Sequence, residues 1–238
     1  MHRYVDAENE ELLASVEELF AAGDLPGLKR LFKESRDSLD PLTQLLSRKS
    51  FGRALEREAR TIWGRELIPP HDKPPARYAH GKETGAGQVI PKRHVFATVV
   101  VDLDRFKEIN DNFGHLAGDK VLAAVAKEFR DGIRDDDLVG RFGGDEIVIF
   151  IPFSDCSEPL IRVRRRIRAR ILKIRRTIEG LAFQFDASHH LSGVTFSWGM
   201  AVVEKVTSYG GFKQSFEQSL EDADKKMYKD KGRSERRK

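Results

Sequence analysis

The sequence predicts an α+β domain in which helices cover a mainly antiparallel sheet. Its apolar segments follow one another in the order strand, helix, hairpin, helix, strands and helix. A Gly-Gly pair lies between two apolar runs, which is typical of a tight hairpin and therefore of antiparallel pairing. Of the 238 residues, 39% are hydrophobic and 34% are charged, so the chain can build a core and is excluded from the disordered class.

The first part of the chain is predicted to be helical. Residues 8–35 carry apolar residues at helical spacing, with a break at Gly23–Gly27. We expect residues 1–37 to form a helical segment that acts as a stalk or a dimer contact. A second helix is expected after Asp40, with its apolar positions at Phe51, Leu55, Ala59 and Ile62.

An irregular insertion is predicted inside the domain, which we expect to span residues 38–238. Residues 64–93 hold five of the nine prolines and four glycines, a composition that favours a long loop. His71, Asp72 and His80 lie in this loop and are interpreted as ordinary surface residues.

The central strands follow the insertion. Val95–Val101 is apolar and rich in β-branched residues, which predicts a buried strand. Gly118–Gly132 has helical spacing, while Leu138–Phe142 and Glu146–Ile151 read as the two strands of the Gly-Gly hairpin. Further on, we expect strands at Leu181–Asp186 and Val194–Val203. A last helix is expected at about Phe216–Asp230, opened by a capping box between Ser215 and Gln218.

Basic charge is concentrated in one helix. The formal net charge of the chain is +4, but Ile161–Arg176 holds nine Lys or Arg in sixteen residues and no acid. Its apolar residues recur every three or four positions, so one stripe faces a core and the arginines point outward. The arginines form either a solvated face or a phosphate site. The basic helix has no interleaved aromatic residues, and we find no nucleic-acid-binding motif elsewhere in the sequence. We therefore expect no nucleic-acid partner.

The number of cysteines and the length of the apolar runs indicate the compartment of the chain and the metals it can bind. The single cysteine, Cys156, excludes an internal disulfide and a thiolate zinc site, and it suits a reducing cytoplasm. The apolar run at Val95–Val101 is too short to span a bilayer, and no signal peptide is expected in the first thirty residues.

Carboxylates are predicted to gather where the strands end. Asp102 and Asp104 close the buried strand and point to the same face, with the carbonyl of Leu103 between them. Asp145 and Glu146 follow the turn of a hairpin that can lie beside this strand. Clustered carboxylates with a free carbonyl suit Mg²⁺, which prefers oxygen ligands. The alternative is that these acids only cap strand ends.

Five motifs in order closely resemble the GGDEF family of diguanylate cyclases. The central string RFGGDEI occupies Arg141–Ile147, and the family's opening motif is matched by DPLTQLLSR at Asp40–Arg48. The string DLDRFKEINDNFGHLAGD covers Asp102–Asp119. The remaining two are TFSWGMA at Thr195–Ala201 and ADKKMYKDK at Ala223–Lys231.

This resemblance implies a ferredoxin-like core and a reaction. In the family, two subunits each hold one GTP, and each 3′-hydroxyl attacks the α-phosphate of the other GTP, giving cyclic di-GMP and two pyrophosphates. Asp102, the carbonyl of Leu103 and Asp145 would hold Mg²⁺, with Mn²⁺ possible in its place. Glu146 would contribute to metal binding or to deprotonating the attacking hydroxyl.

The resemblance also implies which residues contact GTP. Asn110 and Asp119 would read the guanine edge, and an aspartate at position 119 favours GTP for both halves of the product. The remaining expected contacts, mainly to the phosphates, are Phe106, Lys107, Gly143, Gly144, Lys231 and Arg233.

A second site is suggested by Arg134-Asp-Asp-Asp137, which has the spacing of the family's RxxD inhibitory site. Arg134 and Asp137 would bind cyclic di-GMP, with an arginine of the basic helix, expected to be Arg166, completing the site across a subunit interface. Arginine can grip phosphate and stack on guanine at once.

Departures from the family pattern leave some roles open. Gln44, Ser47 and Ile147 replace the usual glycine, asparagine and phenylalanine. The closing segment is shortened after Lys231, so the second phosphate-binding arginine is Arg233, Arg236 or none. The main rival function is a non-catalytic receptor for GTP or cyclic di-GMP. Its hallmark, a degraded Gly-Gly-acid hairpin, is not present in this sequence.

Overall fold

The computed structural model describes residues 39–63, 95–153, 158–186, 188–204, 206 and 209–236. The predicted helical segment 1–37 lies outside the described residues, and the predicted insertion 64–93 does too.

Seven strands and five helices make up the described part of the chain. In chain order they are β1 (Leu46–Ser47), α1 (Arg48–Trp63), β2 (Val95–Leu103), α2 (Phe106–Phe113), α3 (His115–Gly132), β3 (Leu138–Arg141), β4 (Glu146–Phe153), α4 (Leu160–Glu179), β5 (Ala182–Gln184), β6 (His190–Ser192), β7 (Phe196–Val203) and α5 (Tyr209–Arg236).

Five of the strands form one sheet in the order β1-β3-β4-β2-β7. The pairs β3-β4, β4-β2 and β2-β7 are antiparallel, and only the short β1 is parallel to its neighbour β3. The prediction of a mainly antiparallel sheet covered by helices is therefore confirmed. Register brings Asp102 of β2 opposite Glu146 of β4 and opposite Ser197 of β7.

Helices cover both faces of this sheet, which explains why β2 is mostly apolar. One face packs on α2, α3 and α4, and the other packs on α1 and α5. All nine residues of β2 are buried because it lies at an inner position between the two layers. Burial of each large apolar side chain contributes roughly 1.5–3 kcal/mol.

The basic helix α4 has the orientation that its sequence predicts. Its five apolar positions are buried against the sheet, namely Val163, Ile167, Ile171, Ile174 and Ile178. The arginines between them lie along the edges and the outer face. In the described residues, no helix is both long and apolar enough to cross a membrane.

Two local predictions were wrong, and one helix was not predicted. The helix α2 was not anticipated from the sequence. The strand expected at Leu181–Asp186 shrinks to the three residues of β5, which pair with β6 in a separate two-stranded sheet. Helix α5 begins at Tyr209, so Ser215 lies inside the helix and cannot be its N-cap.

Candidate functional site

Three carboxylates are located at one corner of the sheet, although their side chains do not converge on a single point. Asp102, the penultimate residue of β2, is opposite Glu146, the first residue of β4, while Asp145 immediately precedes Glu146 in the hairpin turn. Asp102 is buried, and the other two side chains are half-buried. The antiparallel register between β2 and β4 therefore gathers acids that are more than forty residues apart in sequence.

The protein environment disfavours the ionised form of two carboxylates at this corner. Burial, followed by the charge of Asp102, raises the pKa of Asp145 above its ordinary value. Burial, Asp102 and Asp145 raise the pKa of Glu146 in the same way, although Arg48 opposes this rise. Burial of the ionised carboxylates and, after it, their mutual repulsion both raise these pKa values, and an additional cation would offset both.

One cation already reaches the corner from α5, the helix that covers this face of the sheet. Lys231, near the end of α5, donates a hydrogen bond from Nζ to Oδ1 of Asp102 at 2.5 Å. Burial lowers the pKa of Lys231, but the hydrogen bond and the charge of Asp102 outweigh it, so the pKa is raised overall. The side chain therefore stays protonated beside the carboxylates.

The donor set fits a hard divalent cation. Across the described ranges, no three His, Cys, Asp or Glu side chains are close enough together to form a metal site by themselves. The expected ligands, however, are two carboxylates and the carbonyl of Leu103, all of them oxygen atoms. The mutual repulsion of Asp102 and Asp145 supports this fit, because a bound cation would relieve it.

Asp104 takes a different position from the other acids. Its Oδ1 accepts a hydrogen bond from Oγ of Ser197 at 2.6 Å, and its backbone N–H donates to the carbonyl of Thr195 at 2.9 Å. These two contacts tie the end of β2 to β7. Asp104 still contributes to the negative potential that Lys231 experiences.

Arg141 forms hydrogen bonds with the backbone of the Gly-Gly turn. Its guanidinium donates to the carbonyls of Gly143 and Gly144 at distances between 2.8 and 3.2 Å. It also donates to both carboxylate oxygens of Asp40 at 3.1 Å. With both carbonyls engaged, the turn has a fixed orientation beside the carboxylates. A side chain at Gly143 would be forced against the carboxylate of Glu146.

The two candidate guanine-reading residues lie on neighbouring helices. Asn110 is on α2 and Asp119 is on α3, and the helices meet at Gly114, whose φ of 82° is one that residues with a side chain rarely adopt. A side chain at Gly118 would collide with the amide of Asn110, so this glycine lets the helices approach. The sequence prediction that Asn110 and Asp119 act together is compatible with this placement.

Comparison with known proteins identifies this arrangement. The family model described as diguanylate cyclase, GGDEF domain, matches residues 84–237. The chain belongs to the GGDEF family.

Curated GGDEF relatives are longer than this chain. Diguanylate cyclase DosC of Escherichia coli is 36% identical over 149 residues, covering 61% of this chain and 26% of DosC. Diguanylate cyclase A of Treponema denticola is 31% identical over 140 residues, covering 59% of this chain and 33% of the relative. The chain therefore spans about a third or less of the length of these relatives.

Solved GGDEF structures share the fold. The coiled coil and GGDEF domain of DgcB from Caulobacter crescentus, in complex with c-di-GMP, has a TM-score of 0.58 and 20% identity. That match covers 94% of this chain and 92% of the DgcB chain. The GGDEF domain of TpbB from Pseudomonas aeruginosa has a TM-score of 0.54 and 25% identity, covering 82% of this chain and 89% of the other.

The RxxD segment of this GGDEF domain forms a closed turn. The buried carboxylate of Asp137 accepts hydrogen bonds from the backbone N–H of Arg134 at 2.9 Å and from Arg170 at 2.7 Å. Burial raises the pKa of Asp137 by more than these two partners lower it. Arg166, one helical turn before Arg170, instead forms an ion pair with Glu158 at 3.0 Å and lies over the ring of Phe153.

Sequence reasoning missed the arginines that organise the site. Arg141 belongs to the RFGGDEI motif, and its position beside a glycine turn is a signal from which its role could have been found. Arg170 was one of nine basic residues in α4 and had no distinguishing signal. Arg233 and Arg236 belong to the last turns of α5, and their side chains lie outside the described part of the structure.

Proposed function

We propose that the chain is a diguanylate cyclase that condenses two GTP molecules into cyclic di-GMP and two pyrophosphates. The observation that carries this proposal is the corner where Asp102, Asp145 and Glu146 lie beside the Gly-Gly turn and Lys231. Membership of the GGDEF family supports the same conclusion.

The proposed reaction is a phosphoryl transfer. The 3′-oxygen of one GTP forms a bond to the α-phosphorus of the other, the bond to the bridging oxygen breaks, and pyrophosphate leaves. The proton of the 3′-hydroxyl must be removed, and Glu146 contributes either to this step or to metal binding. A bound divalent cation, proposed to be Mg²⁺ or alternatively Mn²⁺, would supply positive charge at the phosphates.

Each residue near the corner has a proposed task. Asp102, Asp145 and the carbonyl of Leu103 would hold the cation, and Lys231 would bind the phosphates as a point charge. The backbone of Gly143 and Gly144 can approach phosphates closely because no side chain intervenes.

Substrate selection is assigned to the junction of α2 and α3. The carboxylate of Asp119 and the amide of Asn110 offer complementary hydrogen-bonding groups for the edge of guanine. Phe106 and Lys107, in the first turn of α2, would contact the bound nucleotide.

A homodimer is proposed because the chemistry needs it. Each corner holds one nucleotide, and the two nucleotides must face each other before either 3′-oxygen can attack. In the same way, we propose product inhibition through Arg134 and Asp137, with Arg166 or Arg170 from α4. The solved DgcB relative contains c-di-GMP, which supports this assignment by family likeness. The cytoplasm is the proposed compartment.

The test is incubation of the purified protein with GTP and Mg²⁺, followed by chromatography with mass detection. Cyclic di-GMP and pyrophosphate are expected, and Glu146→Gln should remove synthesis. The matched control is Glu217→Gln, an exposed residue of α5 about 21 Å along the helix from Lys231. If GTP is untouched while cyclic di-GMP binds, even after forced dimerisation, the chain is a receptor and the proposal is wrong.

A further inference from the structure

Arg175 of helix α4 occupies a junction between three elements. Its Nε donates to Oγ1 of Thr195 at 3.1 Å and lies 3.3 Å from Glu179. Its Nη1 forms an ion pair at 3.8 Å with Asp230 of α5. The guanidinium also lies over the ring of Phe196, 5.7 Å from its centroid. Arg175 is therefore in contact with α5, with β7 and with the residue that precedes β7.

The two partners of Arg175 that lie outside α4, Thr195 and Asp230, are each linked to the carboxylate corner. Thr195 accepts the backbone N–H of Asp104 through its carbonyl, which fixes the end of β2. Asp230 precedes Lys231 in α5, and its carboxylate also accepts the backbone N–H of Trp198 at 3.3 Å. The same guanidinium thus holds the strand that carries Asp102 and the helix that carries Lys231.

We propose that Arg175 is a positioning residue, which acts through Asp230 and Thr195 to hold Lys231 against the nucleotide-binding corner. This inference rests on the proposed function, because it assigns Lys231 to the phosphates of GTP. It concerns a residue outside the five family motifs on which the sequence resemblance depends.

The neighbouring residue shows that this placement is specific. The side chain of Arg175 is 22% exposed, whereas the side chain of Arg176 is exposed and forms no hydrogen bond or ion pair within the described ranges. The two differ by one position on the helix, about 100° of rotation, and carry the same charge. Arg176→Ala is therefore a matched control, because it removes the same charge from the same helix without touching the junction.

The test measures equilibrium binding of 3′-deoxy-GTP with Mg²⁺, because this nucleotide lacks the attacking hydroxyl and cannot react. Arg175→Ala is expected to weaken binding about tenfold, the lower end of the effect of losing an outer-shell partner. Arg176→Ala is expected to leave the dissociation constant unchanged, and Arg175→Lys should restore part of the affinity. A loss of stability raises the apparent dissociation constant only by the reciprocal of the folded fraction. A tenfold effect in a variant that urea unfolding shows to be mostly folded is therefore not a stability effect.

A second comparison asks whether the effect passes through Lys231. In a Lys231→Ala background, Arg175→Ala should cause little further loss of affinity. An undiminished loss in that background, or full affinity of the single variant, would overturn the inference. If Arg175→Ala does not fold, Asp230→Asn and Thr195→Ala are measured in its place, because each removes one partner of Arg175. Failure of wild-type protein to make cyclic di-GMP would overturn the proposed function alone, since binding of 3′-deoxy-GTP is measured separately.

Discussion

The ion pair between Asp40 and Arg141 is the contact whose energy can be tested most directly. These residues are 101 positions apart, and their contact joins the opening motif to the Gly-Gly turn. The perturbation is a double-mutant cycle with Asp40→Ala, Arg141→Ala and the double variant. The cycle removes the other contacts of each residue, such as the hydrogen bonds from Thr43 to Asp40, and leaves the pairwise energy.

The expected coupling energy follows from partial burial and geometry. The two side chains are 21% and 19% exposed, and the guanidinium reaches both carboxylate oxygens. A hydrogen bond between charged groups contributes about 1.5–3 kcal/mol, so we expect a coupling of about 2 kcal/mol. Arg141→Ala alone should cost about 3 kcal/mol, because it also leaves the turn carbonyls without their donor. For a domain of this size, that loss lowers Tm by roughly 6–12 °C.

The assay is urea unfolding of all four proteins at several pH values. Burial raises the pKa of Asp40, but hydrogen bonds from Thr43 and Arg141 outweigh it and hold the pKa below its ordinary value. Stability from this carboxylate is therefore present above the pKa of the unfolded chain, and it is lost as pH falls through the lower folded value. The coupling should be constant near pH 7 and decline in strong acid.

The chain offers an exposed Arg–carboxylate pair as a control. Glu56 and Arg60 form an ion pair at 2.7 Å on α1, but their side chains are 51% and 67% exposed. Such a pair contributes only about 0.3–0.5 kcal/mol. If the Asp40–Arg141 coupling is no larger than this control, the reasoning from burial is refuted, and Arg141 cannot be the residue that fixes the turn.

Three further outcomes are expected. Burial and then the neighbouring carboxylates raise the pKa of Glu146. On the acidic side of the pH profile, kcat/KM should therefore fall at a higher pH than an ordinary glutamate would give. A profile that stays flat through weak acid would contradict this. Because the pKa of Asp145 is raised in the folded state, its ionised form destabilises that state at pH values above the pKa of the unfolded chain. Asp145→Asn should therefore increase the urea midpoint at pH 7 when no divalent cation is present. The same variant should lose most of the stabilisation that Mg²⁺ gives. Gly199→Ala should lower stability by about 1–3 kcal/mol in thermal unfolding, since its side chain would overlap the backbone at Ala223, whereas Gly144→Ala has open space and should be nearly neutral in stability.

Periodic sequence signals predicted the long elements of this fold. The run at Val95–Val101 is the centre of β2, and the five apolar positions of α4 are buried as expected. These segments are informative because burial on one or both faces imposes a regular spacing over many residues. The carboxylate corner was predictable for a related reason, since adjacent antiparallel strands must bring their acids to the same edge.

Short elements and long-range side-chain contacts were not predictable in this way. Strand β5 has only three residues, and its partner β6 gives no alternation that could be recognised. Helix α5 begins with Tyr209, Gly210 and Gly211, although glycine is a poor helix former, because packing against the sheet outweighs local propensity. The contacts of Arg141 and Arg175 depend on distances between elements, which a sequence pattern does not contain.

The placement of Lys231 shows how these levels combine. Ala223, Met227 and Lys231 are four residues apart and therefore lie on one side of α5. The first two are fully buried, and Gly199 of β7 leaves room for the helix backbone directly against the strand. Close packing at this glycine fixes both the rotation and the height of α5, and one turn later the same side of the helix presents Lys231 to Asp102. The shortened segment after Lys231 therefore does not prevent the lysine from reaching the corner, because its position is set by residues that precede it.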